Sequence, residues 1–160
     1  MKIIVISDTH GLYRNLETIV TRQNDADMFI HLGDGEREYR LLLENRPELE
    51  NRFHYVRGNC DMGDHPISEC IDVMAGHRIF ATHGHRYQVR SSLDVLAQYA
   101  REDGCDIALY GHTHISQSVY YNGVYILNPG SASCPRDGNP PSYGVVDVSH
   151  AGVMTNVVFF

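Results

Sequence analysis

The stretch that says most about the fold is Lys2-Ile3-Ile4-Val5-Ile6-Ser7-Asp8-Thr9-His10. Its short apolar run is typical of a strand buried within a parallel sheet. Asp8 and His10 follow the run and are two residues apart, so in an extended backbone their side chains project to the same side. The stretch therefore predicts a buried strand that ends in two side chains able to bind a metal ion.

The same arrangement, an apolar run followed by polar side chains, occurs four more times. In open α/β sheets ligands bind beyond the carboxyl ends of the strands, so motifs at those ends are expected to meet. His112 and His114 also repeat the spacing of Asp8 and His10. The four further motifs are Gly33-Asp34, Gly58-Asn59-Cys60-Asp61, His83-Gly84-His85 and Gly111-His112-Thr113-His114.

The order of elements predicts an α/β fold, because strands and helices alternate in the first half and strands dominate the second. Apolar residues at helical spacing predict helices over 12–23, 36–45 and 91–102. We expect one domain, 1–160, in which two packed sheets are flanked by helices. The predicted strands span 2–7, 27–32, 53–56, 69–74, 78–82, 106–110, 143–148 and 153–159, with two more around a type I′ hairpin signal at Asn122-Gly123.

The net charge of the chain limits the classes of partner that we expect it to bind. A formal net charge of −7 over 160 residues argues against extended nucleic acid, whose binding depends on basic surface. A local positive site could still take a small phosphate ester. The first apolar run is too short for a signal peptide and no segment approaches the length of a membrane span, so we expect a cytoplasmic protein with no membrane partner. A tyrosine patch at 120–125 leaves open a homo-oligomer or simply an outer sheet face.

The chemistry of the motifs points to phosphate-ester hydrolysis at two metal ions. Two divalent ions about 3.5–4 Å apart stabilise both oxygens of an in-line displacement and generate hydroxide near neutral pH. Asp34 is the natural bridging ligand, since Gly33 gives its backbone freedom and its carboxylate has two oxygens. Asp8 and Asp34 could each be a turn or cap residue, but that interpretation does not explain the whole set.

As a set, the five motifs resemble those of the calcineurin-like metallophosphoesterase superfamily, and the chain is similar to its small bacterial and archaeal phosphodiesterases. The resemblance runs from Asp8 through Asn128-Pro129-Gly130-Ser131. It implies a four-layered αββα sandwich of two mixed β-sheets flanked by helices. It also implies two divalent ions, with Mn²⁺ the first choice and Ni²⁺, Zn²⁺, Fe²⁺ or Mg²⁺ as alternatives. One ion would be held by Asp8, His10, Asp34 and His114, and the second by Asp34, Asn59, His83 and His112.

The resemblance further implies direct hydrolysis by a metal-bridging hydroxide. Many members carry a histidine after the Asn of the third motif to assist the leaving group, whereas this chain has Cys60. A thiol is the weaker hydrogen-bond donor, so we expect a preference for esters with good leaving groups. Asp61 either orients a neighbour or caps the turn before Gly63, and His85 either contacts phosphate or is solvated. The candidate catalytic residues are Asp34, Asn59, Cys60, Asp61 and His85.

The leading function is therefore hydrolysis of small phosphate diesters, with two alternatives. A phosphomonoesterase for nucleotides or sugar phosphates would need more positive charge, and few basic residues flank the motifs. A non-catalytic metal-binding scaffold is the other, since one retromer subunit has this fold without being an enzyme. Arg57 and Arg136 are weak candidates for phosphate contact. His31, His54, His65, His77 and His150 lie outside the motifs and are expected to be surface or capping residues.

Overall fold

The structure is a computed structural model that describes all 160 residues. Its first half alternates strands and helices: β1 (Lys2–Ile6), α1 (Tyr13–Arg22), β2 (Met28–His31), α2 (Glu36–Asn45), a 3₁₀ turn (Pro47–Arg52) and β3 (Phe53–Tyr55). The second half is mostly strand: β4 (Ser68–Asp72), a 3₁₀ turn (Met74–Gly76), β5 (Arg78–Thr82), α3 (Asp94–Glu102), β6 (Ile107–Leu109), β7 (Ser116–Tyr121), β8 (Val124–Pro129), β9 (Ser142–Ser149) and β10 (Gly152–Phe159). The predicted elements are all present, most of them within two residues of the predicted bounds.

The strands form two mixed five-stranded sheets. The first has the order β10-β9-β1-β2-β3 and the second the order β4-β5-β6-β8-β7. Within the first sheet β1, β2 and β3 are parallel, and within the second β5, β6 and β8 are parallel. The carboxyl ends of parallel neighbours lie at one edge of their sheet, so the loops that carry the motifs begin from shared edges.

The alternation of side chains along β1 explains how the layers stack. Ile3 and Val5 belong to the core between the two sheets, which also contains Leu109 of β6. Ile4 and Ile6 point the other way and pack under α1 and α2. All five side chains are buried, and burying one such side chain is worth about 1.5–3 kcal/mol. A strand that is buried on both faces is what the continuous apolar run of β1 predicted.

The outer face of the second sheet is covered by α3. Leu96, Ala97 and Ala100 of this helix are buried against Phe80 and Ala108 of the sheet. The layer order is therefore helix, sheet, sheet, helix, which confirms the predicted αββα sandwich. None of the helices combines the length and the apolar character needed to cross a lipid bilayer.

Two local differences from the predicted elements have simple causes. α3 begins at Asp94 and not at Ser91, because the Ser92 hydroxyl accepts the Asp94 N–H at 3.0 Å and folds the preceding residues into a turn. β4 ends at Asp72, two residues early, since Ala75 in the following 3₁₀ turn has a φ of 61°. The hairpin at Asn122-Gly123 is as predicted, with φ values of 49° and 84°.

Candidate metal centre

Backbone hydrogen bonds bring the first two motifs together. The N–H of Asp8 donates to the carbonyl of Gly33 and the N–H of His10 donates to that of Asp34, both at 3.1 Å. These two bonds continue the pairing of β1 with β2 beyond the sheet edge. The side chains of the first motif are thereby held beside the Asp34 carboxylate.

Glycines allow the second and third motifs to approach closely. A Cβ atom added at Gly58 would overlap the Asp34 carboxylate and its backbone nitrogen, and one at Gly33 would overlap the Gly58 backbone. The absence of a Cβ atom at these two glycines therefore lets the two loops touch. The contact is closed by the Cys60 N–H, which donates to Asp34 Oδ1 at 2.8 Å. Asn59 is consequently placed next to Asp34.

The ligand loops have an unusual backbone. Asp8, His10, Asp34, His112 and His114 all adopt positive φ, between 38° and 67°. For a residue other than glycine this left-handed conformation costs roughly 1–2 kcal/mol. Five of the seven predicted metal ligands are thus strained, and such strain persists where the surroundings fix it and is concentrated at functional sites.

The first predicted ligand group is assembled in the structure. The Nε2 atoms of His10 and His114 are 3.2 Å apart, and Asp8 Oδ1 lies 3.6 Å from the first and 3.1 Å from the second. Asp8 Oδ1 is buried and has no hydrogen-bond partner. A buried carboxylate oxygen without a partner is costly, and a cation among these three atoms would remove that cost. The donor set fits a divalent ion.

The second predicted group shares Asp34 with the first. Asp34 Oδ2 lies 3.8 Å from His10 Nε2 and 3.5 Å from His83 Nε2, so one oxygen faces both groups. Asn59 Oδ1 is 3.2 Å from the same nitrogen of His83. The His112 ring centroid is 5.1 Å from that of His83. Asp34 Oδ2 therefore lies near a nitrogen of each predicted ligand group.

Two of the histidines are held in the tautomer that a metal ligand requires. His83 Nδ1 lies 2.7 Å from the carbonyl of Leu32, and His114 Nδ1 lies 2.7 Å from the carbonyl of Cys134. A carbonyl only accepts, so Nδ1 carries a proton in both rings, which leaves Nε2 as the nitrogen available to a metal ion. Such outer hydrogen bonds are the usual partners of metal-binding histidines.

The charges of the centre also suit a cation. Burial opposes ionisation of Asp34, but His83 and the N–H of Cys60 outweigh it and lower its pKa to about 2. Burial, together with His83 and Arg90, lowers the pKa of His112 to about 4. The Asp8 carboxylate, whose Oδ1 lies 3.6 Å from His10 Nε2, raises the pKa of His10. A metal ligand must be the neutral imidazole, so metal binding at His10 is expected to weaken as pH falls.

His31 is not on the surface, and that expectation is wrong. Its ring is fully buried and stacks on Tyr55 at 5.0 Å between centroids. Its Nδ1 accepts the N–H of Gly33 at 3.1 Å, so its Nε2 donates to the Thr9 hydroxyl at 3.2 Å. Burial lowers the pKa of His31 to about 4 and keeps it neutral. The available signal was its position inside the predicted strand 27–32.

Asp61 holds the loops of the second and third motifs together through hydrogen bonds to their backbone. Its carboxylate accepts the Tyr55 hydroxyl at 2.7 Å and caps the start of α2, whereas the turn before Gly63 is held by Glu36 at 2.8 Å. Asp61 is thereby a positioning residue with both oxygens occupied, and not a group aimed at substrate. The backbone N–H groups that it accepts are those of Asp34, Gly35, Glu36 and Gly58.

Cys60 and His85, the two remaining candidate catalytic residues, have different neighbours at the centre. Burial and the neighbouring Asp34 raise the pKa of Cys60 to about 11, so its thiol keeps its proton at neutral pH. Cys60 Sγ belongs to a candidate ligand group with His10 and Asp34. The His85 ring lies 5.4 Å from that of His83, and its buried Nδ1 has no hydrogen-bond partner.

The segment 128–133 lies against the first and last motifs. The hydroxyls of Ser131 and Ser133 both donate to the carbonyl of Asp8, at 2.7 and 2.9 Å. The Asn128 side chain donates to the carbonyl of Gly111 at 3.1 Å. These bonds tie the first motif to the last and hold Asp8 in its strained conformation.

Two arginines reach the centre, although few basic residues flank the motifs in sequence. Arg90 and Arg136 line a cavity of about 90 Å³ together with the ligands. Arg57 does not, and its guanidinium donates to the carbonyl of Gly63 at 3.2 Å. The site therefore carries more positive charge than the residues next to the motifs in sequence had indicated. The remaining residues that line this cavity are His10, Asp34, Asn59, Cys60, His112 and His114.

The layer order and this set of Asp, His and Asn side chains define the class of metallophosphoesterases. The sequence model of the calcineurin-like phosphoesterase superfamily domain matches residues 1–151, and the chain belongs to this family. The family uses divalent metals.

Relatives of known name agree with the family. The chain is 34% identical over 151 residues to the probable metallophosphoesterase YsnB of Bacillus subtilis, covering 94% of this chain and 86% of that protein. It is 31% identical to the phosphodiesterase YfcE of Escherichia coli, covering 92% and 88%, and the YfcE structure superposes with a TM-score of 0.70. A single-mutant structure of Vps29 from Entamoeba histolytica is 27% identical, with a TM-score of 0.74 and coverage of 100% of this chain and 99% of that chain.

Proposed function

We propose that the protein is a cytoplasmic metal-dependent phosphodiesterase that hydrolyses small phosphate diesters. The observation that carries the proposal is the position of Asp34 Oδ2, which faces His10 Nε2 on one side and His83 Nε2 on the other. One shared carboxylate between two ligand groups is the arrangement that two ions in one site need. The unpartnered Asp8 Oδ1 supports the same interpretation.

We propose two divalent ions, with Mn²⁺ as the first choice and Ni²⁺, Zn²⁺, Fe²⁺ and Mg²⁺ as alternatives. Nitrogen and oxygen ligands suit this group of metals. Bound there, the ions would supply Lewis-acid stabilisation of the phosphate charge and a hydroxide nucleophile near neutral pH. The first ion would be held by Asp8, His10, Asp34 and His114, and the second by Asp34, Asn59, His83 and His112.

Three kinds of side chain would assist the ligands: one orients the Asp34 loop, one donates a proton to the leaving oxygen, and two bind the negative charge of the phosphate. Asp61 holds the Asp34 loop through the N–H of Asp34 at 2.9 Å. Cys60 keeps its proton and lies at the cavity, so it is placed to donate to a leaving oxygen. Arg90 and Arg136 bring positive charge for the non-bridging phosphate oxygens.

The two alternatives make different predictions about the same site. Two arginines at the cavity remove the charge-based objection to a phosphomonoesterase, so that choice depends on whether the site accommodates a second ester arm. A non-catalytic metal-binding scaffold would use the same seven predicted ligand residues, which lie around one centre, and differs from an enzyme in having no use for a substrate groove. We favour the diesterase because YfcE carries that name and because of the groove described below.

The test is hydrolysis by chelator-stripped protein to which Mn²⁺, Ni²⁺, Zn²⁺, Fe²⁺ or Mg²⁺ is restored separately. Bis-p-nitrophenyl phosphate and p-nitrophenyl phosphate are compared. We expect diester cleavage that depends on metal and is lost in Asp34→Asn, while Asp72→Asn, which removes a well-exposed carboxylate, leaves it unchanged. A preference for the monoester would favour the phosphatase. Inactivity with every metal, despite tight metal binding, would favour the scaffold.

A further inference from the structure

A groove of about 460 Å³ lies beside the metal centre. Its size is within the usual range of small-molecule sites. Apolar surface comes from Val89 and Ile115, and hydrogen-bonding groups come from Tyr110 and Gln117. The groove therefore offers both kinds of contact that an organic substituent of mixed polarity needs.

The groove and the metal cavity share a border. Arg90 and Arg136 line both of them. A molecule whose phosphate lies over the ligands would meet these two arginines where its substituent enters the groove. The two cavities therefore adjoin, with positive charge at their shared border.

The backbone around Arg136 is fixed to the metal centre. Its N–H donates to the carbonyl of His114 at 2.9 Å. One residue on, the Asp137 carboxylate accepts the hydroxyl of Ser116 at 2.7 Å and its N–H at 3.0 Å. The segment is therefore held against the last motif on one side and against β7 on the other.

Arg90 follows an anchored residue. Val89 is buried, and a Cβ atom added at Gly84 would lie 3.1 Å from one of its methyl groups. The loop turns back at Gln88, which has a φ of 55° and accepts the N–H of Ser91 at 2.9 Å. Arg90 thus leaves a defined turn toward the cavity.

Neither guanidinium is used by the fold. The arginines that form ion pairs with carboxylates are Arg40, Arg46 and Arg78. Arg90 and Arg136 are exposed and keep their charge for a ligand, in a chain whose net charge is −7. A guanidinium matches two phosphate oxygens at once, so this pair is suited to an anionic ester.

We propose that the groove binds the non-reacting arm of a phosphodiester, an organic group of nucleoside size, while Arg90 and Arg136 bind the non-bridging oxygens of its phosphate. The inference rests on the proposed function and names its substrate class. A monoester substrate has only its leaving group and would leave the groove empty during hydrolysis, whereas the monoester product of a diester keeps the arm. The Tyr110 hydroxyl donates to Gln117 Oε1 at 2.5 Å, which leaves the Gln117 amide NH₂ as a donor toward the arm.

The kinetic test compares two diesters with the same leaving group. Mn²⁺-loaded protein is given thymidine 5′-(p-nitrophenyl phosphate) and ethyl p-nitrophenyl phosphate. We expect kcat/KM to be at least about 10-fold higher for the thymidine ester, because the ethyl arm leaves the groove unfilled. Equal values for the two esters would overturn the inference.

The variants separate the groove from the arginines. Ile115 is exposed, so Ile115→Trp fills the groove at little risk to folding and should remove the preference for thymidine while sparing the ethyl ester. Gln117→Ala should reduce the preference in part. Arg90→Gln and Arg136→Gln should lower kcat/KM for both esters by about 10–100-fold. Arg22→Gln removes an exposed charge at the far end of α1 and should change neither. Equal losses on both esters in Ile115→Trp would contradict the inference.

A binding measurement distinguishes failure of the groove from failure of the proposed function. Calorimetry in the presence of Mn²⁺ compares thymidine 5′-monophosphate with ethyl phosphate and does not require turnover. Binding of the thymidine compound at least about 10-fold more tightly, lost in Ile115→Trp, supports the groove even if no ester is hydrolysed. Equal affinity, or no binding of either compound, overturns it even if the chain hydrolyses simple diesters.

Discussion

The two ends of the sandwich differ in the residues that adopt positive φ values. At the end opposite the metal centre, the hairpin between β7 and β8 places its positive φ values at Asn122 and Gly123, the residue types that a type I′ turn prefers. At the metal centre the positive φ values fall on Asp8, His10 and Asp34, three of the predicted ligands. Positive φ thus serves only to reverse the chain at the hairpin, whereas at the metal centre it aims side chains that could bind a metal ion.

The largest effect should come from replacing a glycine at the metal-centre end, compared with replacing a glycine in the opposite hairpin. Gly58→Ala would force a Cβ atom into the Asp34 carboxylate, so we expect metal-dependent activity to fall by more than about 100-fold. Gly123→Ala meets no neighbour and only adds left-handed strain of roughly 1–2 kcal/mol. Steady-state kinetics and urea unfolding of both variants check this. Similar activity losses in the two would contradict the comparison.

The second effect concerns the pH dependence of stability. The folded pKa of His31, about 4, lies below its ordinary 6.5, so between these values the unfolded chain takes up a proton that the folded chain refuses. Stability is therefore lost as pH falls from 6.5 to 4, by about 3 kcal/mol for this residue. Urea unfolding of metal-free protein at pH 7 and pH 5 should show a smaller loss in His31→Gln. An unchanged pH dependence in that variant would contradict this account, and the exposed His150→Gln is the control.

A third prediction tests whether Asp61 works through the Asp34 loop. Asp61→Asn replaces an acceptor of four backbone N–H groups with a side chain that has one acceptor oxygen. We expect metal affinity to weaken about 10–100-fold, the usual result of losing an outer partner. Equilibrium dialysis with Mn²⁺ measures it. If affinity were retained and only kcat fell, Asp61 would act on substrate directly.

The smallest effect should be a gain. Cys60→His places a better proton donor at the cavity, so an ester with an alkyl leaving group should be cleaved faster, by about 10-fold, at the low end of general-acid effects. Bis-p-nitrophenyl phosphate needs little such help and should change less. Tyr120→His, at an exposed position on β7 near the opposite hairpin, is the control for adding a histidine. No gain on the alkyl ester would remove Cys60 from the account of leaving-group assistance.

The sequence predicted the parts of the molecule that are encoded locally. The apolar run of β1 and the order of strands and helices were sufficient for the sandwich, and the motifs were sufficient for the ligand end. Contacts between segments that are distant in the chain could not be predicted from these local patterns. Arg90 reaches the cavity only because Val89 is buried against Gly84, and His31 matters only because Thr9 and Gly33 meet it. The left-handed conformation of Asp8 likewise depends on Ser131, more than 120 residues away in sequence.

The most direct test of the central claim is the number of metal ions that the chain binds. Stripped protein is equilibrated with Mn²⁺, and bound metal is measured against protein concentration, for the natural chain and for Asp34→Asn. A shared carboxylate between two ligand groups predicts two ions per chain and fewer than two in the variant. One ion per chain, or two ions that remain bound in Asp34→Asn, would contradict the proposed two-ion centre.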